Sequence, residues 1–381
     1  MRSWNLPVLG PVPTLVYVPM NVRKKKNVRA ATLADVGRAA GVSAMAVSAA
    51  LNETRTSARI SEQTRAKIIE AAEALGYRPN VAARALVKRR MNTIGVSVVW
   101  ADEELNNYFV EIFNGIIEAT SRHAQNATVF TFRSWSEDMA KVCGMCDGRI
   151  DGMILVAPLF NQELAAMLPH HTPFVALHAN TESEAFVNIE SNEERGAKEM
   201  VKAMIAMGHR RIMHVSGPRG LVGPERRISG YLSALREAGI VPDPDLLVVT
   251  NFAAAEGCRA MNAWLSANKG KPLPDAIFCA NDAIAIGCME ALASAGIRIP
   301  DDVSIAGFDD TIAARTTVPQ LCTVRQPLRA MGARAVEVMM RRIDAMRGKG
   351  GDELVNSVVF DTTVVLRGSL SKPPAEPRLV P

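Results

Sequence analysis

TLADVGRAAGVSAMAVSAALN, residues 32–52, is the stretch from which the fold is read. Thr32 has the hydroxyl of a helix N-cap, and Leu33, Val36 and Ala40 follow at the 3.6-residue spacing of one buried face. Gly41 then turns the chain where a Cβ would be penalised. Ser43 caps a second helix with Val47 and Leu51 facing inward. Downstream, Ser61 caps a third helix with Ile68, Ala72 and Leu75 on its core face. Two capped helices about a glycine turn make a helix-turn-helix, the unit whose second helix enters the DNA major groove. Caps and spacing by themselves also suit any small helical bundle.

The letters narrow the choice. Thr32-Leu33-x-Asp35-Val36-x-x-x-Ala40-Gly41-Val42-Ser43, then Val47-Ser48, Leu51-Asn52 and Gly76-Tyr77-Arg78-Pro79-Asn80 together resemble the lactose-repressor (LacI/GalR) family of bacterial transcription factors. The resemblance implies a DNA-binding headpiece over 31–79, with Thr32, Ser43, Ala44, Met45, Ala46, Ser48, Ala49, Asn52, Arg55 and Tyr77 at or near DNA. It implies a hinge helix over 80–90, starting from Asn80, with Ala83 and Leu86 at the minor groove and Leu86 as the wedge between base steps. That segment is about two turns long, too short to be stably helical by itself. One departure matters: relatives usually carry threonine where Ala46 stands and arginine where Ala49 stands. Ala44, Met45 and Ala49 offer only apolar contact with bases, so the usual operator sequence does not carry over. Arg55 and Arg59, or the basic arm, offer compensating contacts.

Charge supports a polyanionic partner for the head. Residues 1–90 carry 16 Lys/Arg against 5 Asp/Glu, and the whole chain is +5, which leaves −6 for residues 91–381. Residues 1–30 contain Pro7, Pro11, Pro13 and Pro19 before the cluster Arg23-Lys24-Lys25-Lys26. They are expected to be a disordered basic arm and not a signal peptide, because the prolines interrupt the apolar run and no small-residue cleavage site precedes the cluster. Met20 is an alternative translation start. No run of about 18 apolar residues signals a membrane span, and a cytoplasmic location is expected. With 48% hydrophobic residues over 381 positions, the chain has material for two or three domains.

From Met91 onward, apolar strands alternate with amphipathic helices. This predicts α/β architecture, with two doubly wound subdomains behind the helix-turn-helix head. The pattern resembles the periplasmic-binding-protein fold of the same family. It is carried by Asn107-Tyr108-Phe109, Asp151-Gly152-Met153-Ile154-Leu155, Gly208-His209-Arg210-Arg211-Ile212, Ala280-Asn281-Asp282, Gly307-Phe308-Asp309-Asp310 and Arg325-Gln326-Pro327. The family's chain crosses three times between subdomains. The resemblance therefore places 91–188 plus 324–346 in subdomain one and 189–323 plus 347–368 in subdomain two, within an effector-binding and dimerisation core over 91–368. Residues 369–381, rich in proline, are expected to be a disordered tail without a leucine-heptad coil.

Ligands of such folds sit beyond the carboxyl ends of the parallel strands. Asp309, Asn281, Phe252 and Arg227 are predicted just past strand ends, with Arg227 opening a helix. The resemblance implies that Arg227 and Asp309 hydrogen-bond effector hydroxyls, that Asn281 adds a polar contact and that Phe252 covers an apolar ring face. Tyr108 is placed at the mouth from subdomain one. Structural alternatives stand beside each: an Arg227–Asp309 ion pair, Asn281 as a helix N-cap, Phe252 as plain core. Cys143-Gly-Met-Cys146 lacks a second pair at metal spacing, and the six cysteines are read as reduced apolar filler. No catalytic residue, metal site or cofactor is expected. The chain is read as a homodimeric repressor of DNA operators, not an enzyme, controlled by a small effector of sugar type; purine-type effectors also fit this fold. A sugar-binding protein of a transport system is the rival from another class, and the headpiece argues against it.

Overall fold

A computed structural model describes residues 30–52, 60–78, 90–99, 106–159, 161–349 and 357–381. The expected arm up to residue 29, Arg55, Arg59 and the hinge residues Asn80, Ala83 and Leu86 lie outside that set, as does the Asn52 side chain. The chain divides into two units, residues 1–88 and 89–381.

The first unit holds α1 (Leu33–Ala40), α2 (Ala44–Asn52) and α3 (Glu62–Ala74). Thr32 and Asp35 form a reciprocal capping box at α1, and Gly41 ends it with φ 69°. Ser43 accepts from the Ala46 amide at 3.2 Å, and Ser61 caps α3 through Thr64. Val36, Val47, Ala50, Ile68 and Ala72 form the small core. Leu75, expected on the core face, is a correction: it stands at the C-cap of α3 and is 43% exposed, because the helix ends before its side chain turns inward.

The second unit is built of strands and helices in alternation. In chain order these are β1 (Thr93–Val99), α4 (Asn107–Arg122), β2 (Asn126–Phe132), α5 (Trp135–Met145), β3 (Gly152–Val156), α6 (Gln162–Ala166), β4 (Phe174–Leu177) and β5 (Phe186–Ser191). Then come α7 (Glu193–Ala206), β6 (Ile212–Ser216), α8 (Val222–Glu237), β7 (Leu247–Val249), α9 (Ala254–Ala267), β8 (Ala276–Cys279), α10 (Asp282–Ser294) and β9 (Ser304–Asp309). The chain continues with α11 (Ile312–Thr316), β10 (Cys322–Arg325), α12 (Leu328–Ala345), β11 (Ser357–Phe360) and β12 (Thr363–Val365). Two six-stranded sheets result, ordered β11-β5-β4-β3-β1-β2 and β12-β10-β9-β8-β6-β7, with every pairing parallel except β10–β12. Each is covered on both faces: the first sheet by α4 with α12 on one side and α5 with α6 on the other, the second by α9 with α10 on one side and α7 with α8 on the other.

The strands redraw the subdomain borders. β5 lies wholly in the first sheet, so subdomain one extends to Ser191, not to residue 188. β10 belongs to the second sheet, and β11 to the first, where Val358 pairs with Ile189. The last crossing therefore falls between Phe360 and Thr363, not near residue 346. The tail is a further correction. Ser369 Oγ donates to Ile305 O at 2.6 Å and accepts from the Cys322 amide, while Leu370 and Val380 are buried. Leu273 N donates to Arg378 O, and the Arg378 guanidinium pairs with Asp302 at 2.5 Å. Residues 369–381 are stapled to subdomain two by irregular backbone bonds that leave no periodic trace in the sequence.

Candidate functional site

The carboxyl ends of both sheets meet at a cleft, and the contacts that cross it define the site. At the end of β9, Asp309 and Asp310 adopt positive φ of 111° and 57°; the second lies in the left-handed well that aspartate tolerates, and the first is costly for any residue but glycine. Their neighbours hold them there. Asp310 is paired with Arg315, Arg325 and Arg367. Asp282 accepts from the Thr311 amide at 2.8 Å, the Thr311 hydroxyl at 3.0 Å and the Thr323 hydroxyl at 2.6 Å. Burial pushes the Asp282 carboxyl up to about 6. With the turn clamped, Asp309 accepts from Gln326 Nε2 at 2.6 Å, and Gln326 accepts in turn from Ser191 at the end of β5. A hydrogen-bonded chain thus joins the two sheets.

Arg227 lies in the second turn of α8, not at its start, because the helix begins at Val222. The residue is 6% exposed, and its guanidinium carbon sits 4.2 Å from the centre of the Phe308 ring. It donates to Ala280 O and, at 2.6 Å, to Glu193, the first residue of α7. Instead of pairing with each other, Arg227 takes Glu193 and Asp309 takes Gln326. Glu193 is 3% exposed; burial opposes its charge, but Arg227, His178 and Arg226 outweigh that and hold the carboxyl below its ordinary range. Next to it, Arg226 grips Glu190 from β5 with two bonds of 2.9 and 3.3 Å. Burial pushes the Asp309 carboxyl up to about 8 against the pull of Arg227, so it is largely protonated at neutral pH.

Tyr108, in the first turn of α4, shares a 2.6 Å hydrogen bond with His178 Nδ1. Burial, then the charges of Asp309 and Glu193, raise the Tyr108 hydroxyl well above its ordinary value. His178 Nε2 and Arg227 Nε are buried without a protein partner, and burial keeps His178 below its usual pKa. Asn281 caps α10 through the Ile284 amide and donates to Phe252 O, so much of its polarity is committed to structure. The Phe252 ring lies against Gly217, where a Cβ would meet ring carbon at 2.6 Å. The sequence does not point to His178, Glu193, Arg226 or Gln326 as site residues. For Glu193 the signal is the run Phe186-Val187-Asn188-Ile189-Glu190, which marks β5 and sets Glu193 just past a strand end.

On the first unit, α2 presents Ser43, Ala44 and Met45 to solvent, with Met45 78% exposed. Ala46 and Ser48 are half-buried. Ala49 is a correction: at 5% exposure its methyl is packed inside the unit and cannot line a base edge. Thr32 spends its hydroxyl on the capping box, and Tyr77 packs on the small core.

Two family models match this chain: "Bacterial regulatory proteins, lacI family" over residues 32–80 and "Periplasmic binding protein-like domain" over 201–370. The chain is 33% identical over 316 residues to the HTH-type transcriptional repressor PurR of Vibrio atlanticus, covering 82% of this chain and 92% of that one. This chain belongs to the LacI family. It is a DNA-binding transcriptional regulator with a ligand-binding domain, and its relatives are regulators, not enzymes. Among solved structures, the lac repressor dimer bound to operator and the anti-inducer ONPF is similar at TM-score 0.77 and 25% identity, over 90% of this chain and all of that one. The transcriptional regulator CelR–cellobiose complex is similar at TM-score 0.64 and 26% identity, over 89% and 99%. Members of this family bind DNA operators and small-molecule effectors and act as dimers. No helix among the described residues is long and apolar enough to cross a membrane.

Proposed function

We propose that this regulator represses transcription as a homodimer, and that a sugar bound in the cleft between its subdomains sets its operator affinity. The observation that carries the reading is the convergence of Tyr108, His178, Arg227 and Asp309 on one cleft, with Arg227 Nε and His178 Nε2 buried and unpartnered. Buried polar atoms are nearly always hydrogen-bonded, and a ligand hydroxyl reaching Arg227 Nε or His178 Nε2 would supply the bond each lacks. Cellobiose in the CelR complex supports a sugar in this role. The headpiece supplies the operator contacts, with Met45 as the projecting apolar reader of α2.

The test uses the full chain and an operator selected from random duplexes. Phosphate-driven binding should fall linearly in log affinity against log salt, losing several orders of magnitude between about 50 and 200 mM. A panel of sugars should then shift operator affinity at fixed salt. A flat salt response, or sugars that bind without moving operator affinity, would overturn the reading.

A further inference from the structure

We propose that the cleft selects uncharged, polyhydroxylated effectors, because Glu193 and Glu190 already occupy the cationic end of α8 that the carboxylate or phosphate of an acidic ligand would need. This rests on the cleft being the effector site. The first two turns of α8 gather Arg226, Arg227 and a helix N-terminus whose cap residue, Leu221, makes no side-chain cap bond. Left open, that combination attracts anions. Here it is filled from within. The Glu193 carboxylate bonds Arg227 at 2.6 Å and lies 3.9 Å from Arg226. It rests against the first turn of α8, where a Cβ on Gly223 would stand 2.9 Å from one of its oxygens. Glu190 takes both prongs of Arg226 and is itself steadied by Asn188 Nδ2 at 3.0 Å.

The two arginines are therefore matched by two carboxylates before any ligand arrives. The cleft groups not spent in this way are dipolar: the Tyr108 hydroxyl, the buried neutral His178 and the Asp309 carboxyl on its Gln326 support. Hydroxyl groups, which both donate and accept, satisfy such a set. An entering anion would find no uncompensated cation among the described residues of the cleft. To reach Arg227 it would have to expel Glu193, leaving one buried charge unpaired in either arrangement.

The experiment titrates the full-length protein by calorimetry with matched pairs: glucose against glucuronate and glucose 6-phosphate, galactose against galacturonate, and cellobiose. Glu193→Gln keeps the shape of the side chain while freeing the charge of Arg227; Glu190→Gln does the same for Arg226 at a less buried position. Wild type is expected to bind a neutral sugar at least about tenfold more tightly than its acidic partner. Glu193→Gln should narrow or invert that ratio, with Glu190→Gln acting in the same direction. Wild type binding an acidic sugar as tightly as its neutral partner would overturn this proposal and leave the effector cleft standing. So would a neutral preference that both variants leave unchanged. Should none of these ligands bind either wild type or variants, the sugar reading and this proposal fall together. If Glu193→Gln does not fold, the wild-type ratio and Glu190→Gln decide.

Discussion

Asp309 shows how a single residue can be strained, neutral and useful at once. Its φ of 111° costs on the order of 1–3 kcal/mol, and the Asp310–arginine cluster and the Asp282–threonine bonds hold the turn that imposes it. Burial keeps the carboxyl protonated below about pH 8. A ligand hydroxyl that donates to Asp309 favours the ionised form, so binding should release a proton. Affinity should then rise between pH 6 and 8, by up to about tenfold per unit for one whole proton, and level off above. Calorimetry at pH 7 in buffers of different ionisation enthalpy counts that proton directly. Asp309→Asn should abolish the pH slope and weaken binding by roughly 1.5–3 kcal/mol while the fold persists. His214 offers a second titration, this one on stability. Its ring is stacked between Tyr231 and Phe278, Nδ1 donates to Phe278 O, and burial lowers it to about 4. Because the folded pKa lies below the unfolded value, the stability it contributes is complete above pH 6.5. About 3 kcal/mol should be lost as pH falls to 4. Denaturant titrations of His214→Gln should show a correspondingly shallower loss over that window.

At the scale of elements, helix pairs set how closely the layers approach. α4 and α12 cross so tightly that a Cβ on Gly115 would lie 1.9 Å from Arg329 O, and one on Gly332 would lie 2.2 Å from Ile112 O. Gly115→Ala must push the two backbones apart and should cost about 1–3 kcal/mol, read as a lower denaturation midpoint with unchanged slope. An unchanged midpoint would mean that the crossing relaxes freely. Such crossings were not legible in the sequence, since a glycine inside a helical pattern signals only lower propensity. Legible were the features that local chemistry writes: the Thr32 and Ser61 caps, the Gly41 turn, and strands such as β3 and β8 whose continuous apolar runs can only be buried. β5 is harder to read because its apolar run is interrupted by Asn188 and Glu190, which face the cleft. β10 and β12 are hard to read because they are only four and three residues long, and β11 because it is four residues long and pairs with β5, far away in sequence. Missing β5 hid Glu193 and moved a subdomain border. At α2 the sequence had Met45 and Ala49 as equal candidates for base contact, and only packing separates the exposed one from the buried one.

On the scale of the whole regulator, control requires that effector and operator prefer different arrangements of the same core, since a ligand with equal affinity for both shifts nothing. The arrangement seen here is held by bonds across the cleft: Ser191 to Gln326 to Asp309, Arg226 to Glu190, and the Val222 amide to Asn180 Oδ1 at 2.7 Å. The first two chains involve groups next to the proposed ligand, so substituting them would alter binding and conformation together. Asn180 is better separated: it meets the backbone of α8 at its first residue and lies outside the ligand-facing set. Asn180→Ala removes one neutral hydrogen bond, worth about 1 kcal/mol, from this arrangement alone. It should shift the balance between arrangements by about fivefold without touching either binding surface. Operator and effector affinities should then move in opposite directions if the two ligands favour opposite arrangements, and their coupling should be the same whichever is bound first. Fluorescence anisotropy with labelled operator, repeated over an effector titration, yields both constants and the coupling. Parallel weakening of both would instead mean general loosening of the cleft, and unchanged constants would remove the Asn180 bridge from the switch.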